Sequence, residues 1–133
     1  MPAIRIKEAA TLLGVSDDTV RRWVDSGALA ASTDDAGRKV IAGVDLAEFA
    51  VRQATPPPDP LGRASSARNR FVGLVTKVTS DRVMSEVQLQ CGPFTVVSLM
   101  STESVTQLGL EPGVIAVAAV KATTVIVETA GER

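Results

Sequence analysis

Glu86-Val87-Gln88-Leu89-Gln90-Cys91 alternates polar and apolar residues without a break, the two-residue period of a strand with one wet and one buried face. Phe71 to Val78, Phe94 to Met100, Val114 to Val120 and Thr124 to Val127 also read as strands. Turn-like pairs separate them: Ser80-Asp81, Gly92-Pro93, Pro112-Gly113 and Ala122-Thr123, residues that suit tight turns. Thr102 to Leu108 reads as one or two helical turns ending at Gly109. Five short strands with one inserted helix predict a small OB-like Greek-key barrel. Aromatic residues are only 3% of the chain, so its core is to be built from Val, Leu, Ile and Ala.

Upstream the pattern changes. Thr55-Pro56-Pro57-Pro58-Asp59-Pro60-Leu61-Gly62 can neither continue a helix nor pair in a sheet, because proline lacks the amide and fixes φ. It reads as an extended spacer between domains. Before it the period is helical: Ile6, Ala9, Ala10 and Leu13 mark one face of a helix stopped by Gly14. Ser16 is placed to cap a second helix, Asp17 to Val24, with Val20, Trp23 and Val24 inward and two aspartates in its first turn. Leu29-Ala30-Ala31 and Lys39-Val40-Ile41 are expected to pair around the turn Thr33 to Gly37, and a further helix follows Gly43. The expected organisation is α+β in two domains: residues 1–53 a winged helix-turn-helix, 54–65 a linker, 66–133 a five-stranded barrel with one short helix.

Composition removes several function classes. There is no histidine and one cysteine, Cys91, which excludes internal disulfides, Cys/His metal sites and Ser-His or Cys-His catalysis. No nucleophile–base pair is visible, so the chain is not expected to be an enzyme. The N-terminus has no apolar secretion segment. The longest apolar run, Val114 to Val120, is far short of the roughly 20 residues that span a bilayer, and the expected location is cytoplasmic. The net charge of -1 gives DNA binding no global help, so a local cluster of cations must supply it.

Ala9 to Trp23, with Leu13-Gly14-Val15-Ser16 leading to Thr19-Val20-Arg21-Arg22-Trp23, resembles the MerR and excisionase-type winged-helix family. Physically, Ser16 and Thr19 open the second helix, where hydroxyls and free amides suit phosphates. Arg21 and Arg22 can reach phosphate or a guanine edge, and Arg38 and Lys39 on the wing a neighbouring groove. Asp17, Asp18, Asp34 and Asp35 depart from the family pattern and would repel phosphates.

In the second half, converging donors point to an oxyanion: Ser66 and Arg68 enter the first strand, Lys121 leaves the fourth, and Ser101 and Ser104 open the helix. An Arg fork with a Lys point charge can balance a dianion. Three pieces resemble the molbindin (Mop, or TOBE) family across residues 66 to 128: Ser66-Ala67-Arg68-Asn69, Ser101-Thr102-Glu103-Ser104-Val105 with Leu108-Gly109-Leu110, and Val120-Lys121-Ala122-Thr123. The resemblance implies molybdate or tungstate bound between barrels of different subunits. Ser66, Arg68 and Lys121 match positions of one barrel, Ser101 and Ser104 positions of the other. Ser101 stands where threonine is expected, which keeps the hydroxyl. No organic cofactor and no direct protein–metal ligand is implied.

Together these readings predict a molybdate- or tungstate-responsive DNA-binding transcriptional regulator. It is expected to be a homo-oligomer, at least a dimer, held by its barrels and reading a roughly palindromic operator. The alternative is an intracellular molybdate-binding or storage protein whose helix-turn-helix does not act on DNA.

Overall fold

The computed structural model describes residues 2–62 and 64–130. The chain divides into two compact units, Met1–Thr55 and Pro56–Arg133. No helix among the described residues is long and apolar enough to cross a membrane.

The first unit begins with strand β1 (Ala3–Arg5) and helices α1 (Ile6–Leu13) and α2 (Asp17–Asp25). Gly14 ends α1 in the left-handed region at φ 70°, its amide donating to Ala10 O and Thr11 O, a stop that needs no side chain. Ser16 caps α2 as expected, its Oγ accepting from Thr19 N at 3.2 Å. Strands β2 (Ser32–Thr33) and β3 (Lys39–Ala42) precede helix α3 (Gly43–Gln53). The small antiparallel sheet has the order β1-β3-β2, with Ile4 opposite Ile41 and Thr33 opposite Lys39.

Ile6, Ala9, Ala10, Val20, Leu29, Ile41, Leu46 and Phe49 form the core of this unit. Trp23 is half-buried rather than central, its ring tilted on Phe49 with centroids 4.8 Å apart. Two sequence expectations shift. The first hairpin strand lies at Ser32–Thr33, because Leu29 is drawn into the core and its amide donates to Trp23 O at 3.1 Å. β1 was not anticipated: three residues carry too little periodicity, and their partner β3 is what makes them a strand.

The second unit is a curled antiparallel half-barrel of OB-like character. Its strands are β4 (Asn69–Ser80), β5 (Met84–Cys91), β6 (Phe94–Ser101) and β7 (Ile115–Val120), in the order β6-β5-β4-β7. Helix α4 (Thr102–Leu108) lies between β6 and β7 and inserts Val105 into a core of Val75, Val87, Leu89 and Cys91. The clean alternation from Ser85 to Cys91 is realised, with odd residues buried. A register shift between Val75 and Lys77 bends β4, as a bulge does. The concave face opens onto a cavity of about 550 Å³.

The described residues contain four strands in this sheet, not five. Thr124 donates to Lys121 O through both its amide and its hydroxyl, at 3.0 and 2.9 Å, closing a 3-10 turn at Ala122–Thr124. That turn leads the chain off the sheet, so Val125, Ile126 and Val127 remain exposed despite their β-branched side chains. Strand propensity needs a neighbouring ladder to be expressed.

Within the proline-rich stretch, Asp59 ties the chain to the sheet. Its Oδ1 accepts from Leu61 N at 2.9 Å and its Oδ2 from Arg70 Nε at 2.6 Å.

Gly73 marks a close approach of β4 and β5. A Cβ there would stand 2.5 Å from Gln90 O and 2.6 Å from Cys91 Sγ, and the carbonyl belongs to the backbone ladder. Gly73→Ala should therefore cost about 1–3 kcal/mol by overpacking, lowering the melting of the second unit by about 4–8 °C per kcal/mol. Calorimetry checks this. The unfolding transition of the first unit should stay where it is, and an unmoved second transition would contradict the close crossing.

Candidate functional site

The β4–β7 ladder pairs Asn69 with Val120 and Arg70 with Ala119, and Asn69 Nδ2 closes its end by donating to Val120 O at 3.1 Å. Arg68 directly precedes Asn69 and Lys121 directly follows Val120, so both flank the last pair of the ladder and stand at the same end of the sheet as Arg70. Arg68 and Lys121 are exposed, and among the described residues neither has an ion-pair partner. Lys121 follows the last residue of β7 and lies in solvent, so burial in an apolar strand does not demand a counter-ion for it in the single chain. Ser66 lies in a bend before β4, also exposed.

Ser101 and Ser104 sit elsewhere. Ser101 caps α4, its Oγ accepting from Ser104 N at 3.1 Å and donating to Ser104 Oγ at 2.8 Å. Ser101 is paired with Met84 at the start of β5, and Ser85 with Ser80 at the end of β4. The serine pair thus lies at the far end of the 12-residue β4, roughly 35 Å of strand from Arg68 at about 3.3 Å per residue. One chain brings Ser66, Arg68 and Lys121 to one end and Ser101 and Ser104 to the other. Glu103 is exposed as expected, accepting from Gln107 Nε2 at 3.2 Å.

Arg70 and Asp59 were not singled out in the sequence. The hydrogen bond from Arg70, with the Leu61 amide beside it, holds the Asp59 carboxyl down to about 2. Arg70 Nη2 is buried and has no hydrogen-bond partner. No local signal marks this pair, since the two residues meet only after β4 has docked beside the proline-rich stretch.

In the first unit, Ser16, Thr19 and Arg22 follow one another at three-residue spacing and are hydrogen-bonded in a row. Ser16 Oγ and Thr19 Oγ1 are 3.0 Å apart, and Arg22 Nη2 donates to Thr19 Oγ1 at 3.1 Å. Arg21 is exposed beside this row. The hairpin cations are already engaged: Arg38 Nε lies 3.5 Å from Asp34 Oδ2 and Lys39 Nζ 3.9 Å from Asp25 Oδ1. The Arg38 amide donates to Asp34 Oδ1 at 2.9 Å and is the main reason that carboxyl titrates below its ordinary range. The six residues expected to meet DNA lie on α2, at its cap or on the hairpin, and five of them, all but Arg21, are tied to neighbours in the chain.

Comparison with known proteins follows the same division. The helix-turn-helix domain model matches residues 4–54 and the TOBE domain model residues 65–127. No curated protein matches. Among solved structures, a molybdate-binding protein from Sporomusa ovata is 28% identical with a TM-score of 0.49, covering 50% of this chain and 100% of its own. MopII from Clostridium pasteurianum is 34% identical with a TM-score of 0.47 over 50% of this chain and 100% of its own. The cytoplasmic molybdate-binding protein ModG is 37% identical with a TM-score of 0.45, over 48% of this chain and 46% of its own. The chain thus joins a helix-turn-helix domain to a TOBE domain.

Proposed function

We propose that the chain is a molybdate- or tungstate-responsive DNA-binding regulator whose anion sites are completed between two copies. The observation that carries this reading is the division of the five donors: two cations and Ser66 at one end of the sheet, the serine pair at the other. The TOBE match spans all five. A tetrahedral dianion needs positive charge and several donors at once, and two copies related by a two-fold axis, each setting its cationic end beside the other's serine pair, supply them with no carboxylate in the donor set. The exposed apolar residues Val97, Leu99 and Ile115 on the sheet give such copies area to bury. A dimer would carry two helix-turn-helix domains and favour a roughly palindromic operator.

One observation favours the storage alternative. Arg38 and Lys39 are neutralised by Asp34 and Asp25, so the hairpin offers DNA less charge than its sequence promises. Arg21 and the Thr19-supported Arg22 are left as the principal cations for phosphate or base edges.

Four outcomes are expected. Calorimetric titration with molybdate should saturate, and ligand at about 100 times its Kd should add about 2.7 kcal/mol to stability. Arg68→Ala and Lys121→Ala should each abolish binding without loss of fold, and a folded protein whose melting ignores millimolar molybdate rejects the reading. Mixing the Arg68→Ala/Lys121→Ala chain with a Ser101→Ala/Ser104→Ala chain should restore binding in mixed oligomers, and no restoration argues for a site within one copy. On DNA, Arg21→Ala/Arg22→Ala should weaken binding and reduce the salt slope by about two units, about one per lost phosphate contact. Gel shifts at several salt concentrations read this, and an unchanged affinity leaves the storage alternative standing.

A further inference from the structure

We infer that Arg70 is a further donor to the oxyanion, and that Asp59 is its internal competitor, so that anion binding loosens the hold of the proline-rich stretch on the sheet. The inference rests on the oxyanion reading above and adds a residue and a consequence to it.

Four observations lead there. Arg70 is the second residue of β4, two positions after Arg68, and its ladder partner Ala119 lies two positions before Lys121. Three cations are thus gathered at one end of the β4–β7 ladder. Among these three, Arg70 alone has a carboxylate partner among the described residues, Asp59, at 2.6 Å through Nε. Its guanidinium is incompletely used, since Nη2 is buried without a partner, and a buried donor left unmet is a standing cost that a ligand oxygen can remove. Finally, Asp59 comes from the stretch that leads into the sheet, and the same carboxylate holds the Leu61 amide at 2.9 Å.

Asp59 therefore stands to Arg70 as a built-in monoanion. A tetrahedral dianion beside Arg68 and Lys121 offers more charge and more acceptors within reach of the same fork. When the guanidinium turns to it, Asp59 loses its strongest partner and the Asp59–Leu61 turn loses its anchor. The exit of the proline-rich stretch from the sheet then becomes a variable set by the ligand.

The test uses the full chain, with molybdate as the titrant and hydrogen exchange read at residues 59–62. Bound molybdate should speed exchange of the Leu61 amide in the wild type. Arg70→Gln should weaken molybdate binding by about tenfold or more, the worth of one charge-assisted hydrogen bond, with Leu61 exchange already fast and indifferent to ligand. Asp59→Asn should bind several-fold tighter than wild type and also tighter than Glu111→Gln, a control that changes net charge equally at the other end of β7. Asp59→Asn decides alone if Arg70→Gln fails to fold. Two results overturn the proposal while leaving the oxyanion reading intact: Asp59→Asn binding no tighter than Glu111→Gln, or Leu61 exchange unmoved by bound molybdate. No binding of molybdate by the wild type removes both.

Discussion

The pairing of β4 with β7, Asn69 opposite Val120 through Leu74 opposite Ile115, is the constraint on which the rest of the second unit depends. A slip of one residue would turn every side chain of one strand to the opposite face. A slipped β4 would turn Arg70 to the other face, and Val75 would leave the core. Two local devices hold the register. The Asn69 amide closes the ladder on Val120 O, and Gly73 allows β5 to cross at a distance no side chain would permit. β4 pairs with β7 from Asn69 to Leu74 and with β5 from Leu74 to Ser80, so one strand connects the cationic end to the end where α4 begins. That continuity separates the two donor groups within a chain.

The first unit rests on a different principle. Its helices are set by Ile6, Ala9, Val20 and Phe49 packing into one small core, which leaves the row Ser16, Thr19, Arg22 outside that core, with Ser16 capping α2. Hydrogen bonds along that row reduce the rotamer freedom of Arg22 before any ligand arrives, which lessens the ordering cost of a contact. The carboxylates act in the opposite sense. Asp34 is fixed by the amides of Ala36 and Arg38, and that geometry makes it a persistent counter-ion for the Arg38 guanidinium as well.

Much of this was legible from residue order, for physical reasons that can be named. Alternation from Glu86 to Cys91 revealed a two-faced strand because period two survives any tertiary context that buries one face. Gly14 and Ser16 revealed helix ends because caps are local chemistry. Thr124 to Val127 misled because β-branched residues state a preference, whereas a strand requires a neighbour, and the turn at Ala122–Thr124 leads the chain away from one. Lys121 follows the apolar run Val114 to Val120, yet that run supplies an edge strand and leaves the ammonium in solvent. The pair Asp59–Arg70 was invisible: its members are 11 positions apart, one in a proline run and one in a strand, and only the fold brings them together.

The separation of the serine pair from the cationic end has a bearing on dosage. A site completed by two chains fills according to the amount of protein as well as the amount of anion, by mass action. At low abundance the copies would stay apart and the half-sites would hold anion weakly; at high abundance the same anion level would occupy them. Such a protein reports the product of two concentrations, and a cell could retune its threshold simply by making more of it.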